Sequence, residues 1–120
     1  MKTWAIVGLG NNPERAAFGV AKLLQDKGHR IIPVYPRAET VHGEVGYKTL
    51  SEIPGPIDVV DCFVNSTLVG KVVDEAIAIG AKAVWLQLDV IDNDATARAQ
   101  AAGLRTVMDR CPAIEYRKKS

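Results

Sequence analysis

The chain has 120 residues, 48% of them hydrophobic and 24% charged, with a formal net charge of +1. A chain of this length folds as a single domain (1–120) and buries roughly two-thirds of its unfolded surface, so it needs no disulfide or metal to hold a core. The composition excludes a disordered chain, and the near-neutral charge excludes bulk electrostatic binding to nucleic acid or an anionic membrane.

Thr3 to Val7 is a short run of strand formers that meets Gly8-Leu9-Gly10-Asn11-Asn12-Pro13, too early for a signal peptide. Asn12 suits an N-cap and Pro13 a first helical position, so a helix is expected from there to Gly28, with Ala16, Val20, Leu23 and Leu24 inward. Gly19 within it costs roughly 1 kcal/mol relative to alanine, which close packing on the first strand would explain. Ile31 to Tyr35 reads as a second strand, and residues 37–57 as irregular chain with one helical turn near Thr49 to Ile53.

Asp58 to Phe63 is a third strand, and Val69, Val72, Val73, Ala76 and Ile77 mark a helix face ending at Gly80. Ala83 to Leu88 is a fourth strand, Asp92 or Asn93 caps an alanine-rich helix that ends at Gly103, and Arg105 to Met108 is a fifth. From Asp109 the chain is expected to be irregular, with a solvated basic end at Arg117-Lys118-Lys119. Three helices end in glycine, the residue that most readily adopts the left-handed C′ conformation. Strands alternate with helices and most are apolar on both faces, which implies an α/β fold. The expected form is a Rossmann-like, doubly wound parallel sheet of about five strands, ordered 3-2-1-4-5, in three α/β/α layers. Its ligand should lie beyond the carboxyl ends of the strands, at the switch between the first and fourth.

The junction after the first strand carries the chemistry. Gly8 and Gly10 let a ligand approach the backbone, and the free N–H groups of the helix start favour a phosphate. The third glycine of the dinucleotide fingerprint is replaced by Pro13. Arg15 in the first helical turn opposes the helix dipole, a penalty that a bound anion would reverse. Val34-Tyr35-Pro36-Arg37 holds no carboxylate for ribose hydroxyls, whereas Arg37 could pair with a ribose phosphate. NAD is therefore disfavoured, and NADP or coenzyme A remains. Phe63, Val64 and Asn65 at the end of the third strand, with Leu86 and Gln87 at the end of the fourth, offer an apolar wall with a few amides. Cys62 and Cys111 lack metal-ligand spacing and read as buried thiols of a reduced, cytoplasmic protein, and His29 and His42 as surface residues. Trp4 and Trp85 read as packing.

With these residues in view the chain resembles the small stand-alone CoA-binding proteins, which are similar to the CoA-binding domain of the succinyl-CoA synthetase α subunit. The likeness runs nearly end to end. It rests on the segment from Val7 to Arg15, on Ile32-Pro33-Val34-Tyr35-Pro36, and on Gly43-Glu44 with Tyr47 and Leu50. It continues through Asp58-Val59-Val60-Asp61, the segment from Gly80 to Gln87, and the segment from Met108 to Tyr116.

The resemblance implies a small module that binds coenzyme A or an acyl-CoA without catalysing a reaction, or as an accessory to one. By that likeness Gly8, Leu9, Gly10, Asn11 and Asn12, with Arg15, meet the pyrophosphate. Val34, Tyr35, Pro36 and Arg37 surround the adenosine, and Phe63, Val64, Asn65, Leu86 and Gln87 line the pantetheine path. The chain departs from the family pattern at Gly10, where serine is common, and at Ala16, Ala17 and Phe18, which replace Pro-Ser-Tyr. It also departs at Tyr35 for asparagine, Val64 for arginine and Asp89 for glycine. Two other readings stay open. One is a small NADP-dependent or CoA-transferring enzyme acting with a partner chain; the other is an interaction module with a vestigial site, as a homo-oligomer or with a partner protein.

Overall fold

The computed structural model describes residues 2–119, the side chains of 116–119 excepted. The apolar runs become β1 (Thr3–Val7), β2 (Arg30–Val34), β3 (Val59–Cys62), β4 (Ala83–Leu86) and β5 (Arg105–Val107). Between and after them lie α1 (Ala16–Asp26), α2 (Ser66–Ala78), α3 (Asn93–Ala101) and α4 (Pro112–Lys119). All strand pairs are parallel, giving the Rossmann-like α/β fold.

Side chains alternate across the sheet, as the pleat requires. Ala5, Val60, Val84 and Leu86 pack toward Val69, Val73 and Ala76 of α2 and Ala95 and Ala99 of α3. Trp4, Ile6 and Val59 pack toward Val20, Ala21 and Leu24 of α1 and toward Cys111 at the start of α4. Helices thus cover both faces. Gly28, Gly80 and Gly103 end α1, α2 and α3 with φ of +90°, +73° and +90°. Asp92 caps α3 by accepting the Ala95 N–H at 2.9 Å. No helix among the described residues is long and apolar enough to cross a membrane.

The strand order is β2-β1-β3-β4-β5, so the expected 3-2-1-4-5 order is corrected at one point: β3 lies beside β1, not beyond β2. The β2–β3 connection carries no α-helix, only one tight turn at Leu50–Glu52. It buries Leu50, Ile53 and Ile57 on the α2 face, which carries the chain back across β1. The Thr3 N–H then donates to the Asp58 carboxylate at 2.8 Å, and the Asp58 N–H to the Thr3 carbonyl at 3.0 Å. This reciprocal pair fixes β3 against β1. The switch between helices on opposite faces therefore falls between β1 and β3.

Three other expectations are revised. α1 starts at Ala16 with Arg15 as N-cap, because Asn12 closes a local turn instead. Its Oδ1 accepts the Glu14 N–H at 3.0 Å and its carbonyl the Arg15 N–H at 3.1 Å, bonds that compete with helix formation. The helix consequently buries Ala17 and Ala21, while Ala16 is exposed and Leu23 half-buried. Gly19 is not packed on the first strand; a Cβ there would meet nothing within 4 Å. The segment after Asp109 is not irregular, since α4 forms from Pro112; the basic side chains expected to be solvated lie outside the described residues.

The outer edge of β2 is partly covered by the returning loop. The Tyr47 N–H donates to the Pro33 carbonyl and the Tyr35 N–H to the Tyr47 carbonyl, both at 3.0 Å. In the core, Asp61 of β3 lies between Ile6 and Trp85 in register, fully buried, and neither carboxyl oxygen has a partner. Burial pushes its carboxyl well above the ordinary aspartate range.

Candidate functional site

The carboxyl ends of β1 and β3 meet where Gly8 turns the chain out of the sheet. Its φ is +100°, and a Cβ would stand 2.5 Å from the Phe63 carbonyl oxygen, so only glycine fits both the conformation and the approach. The Gly8 N–H donates to the Val34 carbonyl at 2.8 Å, which ties the loop to the end of β2.

Two cavities open on either side of this turn. One, of about 370 Å3, is lined by Gly8, Gly10, Asn11, Asn12, Arg15, Tyr35, Arg37 and Glu39. The other, of about 490 Å3, is lined by Gly8, Arg15, Ala16 and Ala17, by Phe63, Val64 and Asn65, and by Gln87, Leu88, Val90 and Cys111. Gly8 and Arg15 belong to both, so the cavities meet at the glycine turn and the start of α1. The N–H groups of Ala16 and Ala17, in the first turn of α1, have no helical carbonyl to bond and carry the positive end of the helix dipole.

The first cavity is polar and holds two guanidinium groups. Neither Arg15 nor Arg37 takes part in an ion pair among the described residues. The second is more apolar, with Phe63, Val64, Leu88 and Val90 on its walls and two carboxamides, Asn65 and Gln87. Gln87 is 6% exposed, and its Oε1 is buried with no hydrogen-bond partner behind the cavity wall. Asn65 occupies the N-cap position of α2, but its side chain makes no capping bond. The loop after β4, which carries Gln87, Leu88 and Val90, is pinned from two sides. Ser66 Oγ accepts the Ile91 N–H at 2.9 Å, and Asp109 Oδ1 accepts the Asp89 N–H at 2.7 Å. Both Asp89 and Asp109 adopt left-handed backbone, with φ of 66° and 58°.

Of the residues singled out in the sequence, Gly8, Gly10, Asn11, Asn12, Arg15, Tyr35 and Arg37 line the first cavity, and Phe63, Val64, Asn65 and Gln87 the second. Leu9, Val34 and Leu86 have core side chains, and Pro36 is exposed and lines neither cavity. Sequence reasoning missed Glu39, whose Oε1 accepts the Asn11 N–H at 3.2 Å. A carboxylate shortly after β2 was a visible signal, but it stands beyond the four residues at the strand end. Cys111 lines the second cavity although it is only 8% exposed.

Residues 2–117 match the family described as the CoA binding domain. An uncharacterized protein of Bacillus subtilis, YneT, is 34% identical over 115 residues, covering 96% of this chain and 85% of that protein. The α subunit of an ADP-forming acetate–CoA ligase of Pyrococcus furiosus is 33% identical over 81 residues, covering 67% of this chain and 18% of the subunit. A solved structure of a hypothetical protein from Pyrococcus horikoshii superposes with a TM-score of 0.93 at 39% identity, covering 98% of this chain and 82% of that one.

Proposed function

The chain belongs to the CoA-binding domain family, and from that premise we propose that it binds coenzyme A or an acyl-CoA as a small non-catalytic or accessory module. The observation that carries this reading is the pair of cavities joined at Gly8 and Arg15. Coenzyme A has the same two-part chemistry: a phosphate-rich nucleotide and a largely apolar arm with two amide groups. In this reading the diphosphate lies at the glycine turn, against the first N–H groups of α1 and the Arg15 guanidinium. Arg37 neutralises the ribose phosphate. The pantetheine arm runs past Phe63 and Val64, with its amides beside the Asn65 and Gln87 carboxamides. NADP would use the first cavity in the same way but would leave the amide-bearing, more apolar cavity without a suitable occupant.

Titration calorimetry with CoA, acetyl-CoA, NADP and NAD tests the proposal. Binding of CoA and acetyl-CoA, tighter than that of either dinucleotide, is the expected result. No heat from CoA at millimolar concentration, with the protein folded, would overturn it. A second reading is favoured by the likeness to the acetate–CoA ligase subunit: the bound thioester is handed to a partner chain. Turnover of acyl-CoA only when another protein is added would distinguish it.

A further inference from the structure

The polar cavity contains, beside its two cations, a carboxylate that the CoA-binding reading gives no task. Glu39 Oε1 accepts the Asn11 N–H at 3.2 Å. The same oxygen stands 2.8 Å from the point where a Cβ on Gly10 would lie, so it rests against the glycine loop itself. An acidic group there takes up a backbone N–H of the loop that lines the polar cavity.

We propose that Glu39 is a built-in competitor for the anion subsite at the glycine loop, so that a ligand diphosphate enters only in exchange for this carboxylate. The inference rests on the CoA-binding reading for the identity of the ligand, and on the loop geometry alone for the competition.

The backbone beneath Glu39 is firmly held. Asn11 Nδ2 donates to the Thr40 carbonyl at 2.7 Å, so the glycine loop is also joined to the strap, the segment after β2 that carries Glu39, at the residue that follows Glu39. A Cβ on Gly46 would lie 2.1 Å from the Glu39 carbonyl oxygen, so the strap packs backbone against backbone there. Ala38 before it has a φ of 50°. A fixed backbone delivers the carboxylate to the loop at a high effective concentration. The hold of the side chain is one hydrogen bond at the long end of the range, and its three rotatable bonds let it swing out. Glycine at position 10 fits this arrangement, because any side chain there would drive the carboxylate off Asn11.

A self-occupied subsite reduces the apparent affinity of every ligand that needs it by the same factor, the fraction of molecules in which it stands open. Small anions that depend on this subsite alone are kept out. A ligand that also fills the second cavity has further contacts with which to overcome the competition. Glu39 thereby lowers the hold on both kinds of anion alike, and the contacts in the second cavity decide which ligand still binds.

The test compares the wild type with Glu39→Gln, which keeps the acceptor but loses the charge, and Glu39→Ala, which loses both. Three probes are titrated by calorimetry: CoA, inorganic pyrophosphate, and pantetheine, which carries no phosphate. The Asn11 amide is followed by NMR in the ligand-free proteins to report release of the carboxylate. Both variants should bind CoA and pyrophosphate about tenfold more tightly, alanine at least as strongly as glutamine, with pantetheine unchanged. Unchanged or weaker pyrophosphate binding in both variants would overturn the proposal, as would an equal gain for pantetheine. If pyrophosphate gains while CoA binds to none of the proteins, the competitor stands and the CoA reading falls. If CoA binds equally to all three, the CoA reading stands and the competitor falls.

Discussion

Thr3 and Asp58 exchange two hydrogen bonds across the β1–β3 boundary, one backbone to backbone and one from the Thr3 N–H to the Asp58 carboxylate. That N–H, with help from Lys82 at 3.3 Å, holds the Asp58 carboxyl below its ordinary range. A lowered pKa in the folded state contributes stability above the ordinary aspartate range, and that stability is lost as pH falls through the folded-state value. Asp58→Ala should cost about 1 kcal/mol at neutral pH in urea melts, and the difference from wild type should shrink in acid.

Asp61 has the opposite sign. Its carboxyl is raised by burial, so above about pH 4 the unfolded chain loses this proton while the folded chain keeps it. The group's contribution is full below that pH and declines as pH rises toward the folded-state value. Asp61→Asn should remove this decline, so that melts at increasing pH show the variant gaining on the wild type. A variant that tracks the wild type at every pH would show that Asp61 does not titrate.

Gly19 lies in the middle of α1 with open space around it. Gly19→Ala should stabilise the protein by about 0.5–1 kcal/mol through helix propensity and reduced freedom of the unfolded chain. Thermal melts should show a rise of about 4 °C at the upper end of that range.

Arg15 borders both cavities and Arg37 only the polar one, so their loss should be felt by different ligands. Arg15→Ala should weaken CoA and dephospho-CoA alike, by about tenfold, the effect of losing one charge-assisted hydrogen bond. Arg37→Ala should weaken CoA by a similar factor and leave dephospho-CoA nearly unchanged. Equal losses on both ligands in the Arg37 variant would remove the ribose phosphate from its reach.

Periodicity and punctuation made most of the fold legible. The strands' apolar runs, the C′ glycines at 28, 80 and 103 and the Asp92 cap are all set by local chain chemistry, which a sequence displays. Strand order was not legible in the same way, because it turns on where the 35–58 segment, which has no α-helix, buries Leu50, Ile53 and Ile57 and on the Thr3–Asp58 pairing. These are long-range contacts with no local signature. Asn12 and Pro13 gave a helix-start signal that a side-chain turn captured first. In the candidate site, residues adjoining strand ends were legible because parallel sheets place ligands there. Glu39 was not, because a strap outside any strand brings it back to the loop.

The Tyr47 contact on β2 has a consequence for self-association. The residues of β2 whose backbone faces away from β1 alternate, and Pro33 among them has no N–H, while its carbonyl is taken by Tyr47. Ile31 alone is left within β2 with an N–H to offer a new neighbour, and the opposite edge of the sheet, β5, is only three residues long. Neither margin offers a long template for another strand, as blunted edges in native sheets do not. Copies of this protein that meet in solution should therefore do so through their helical layers, without continuing the sheet from one molecule into the next.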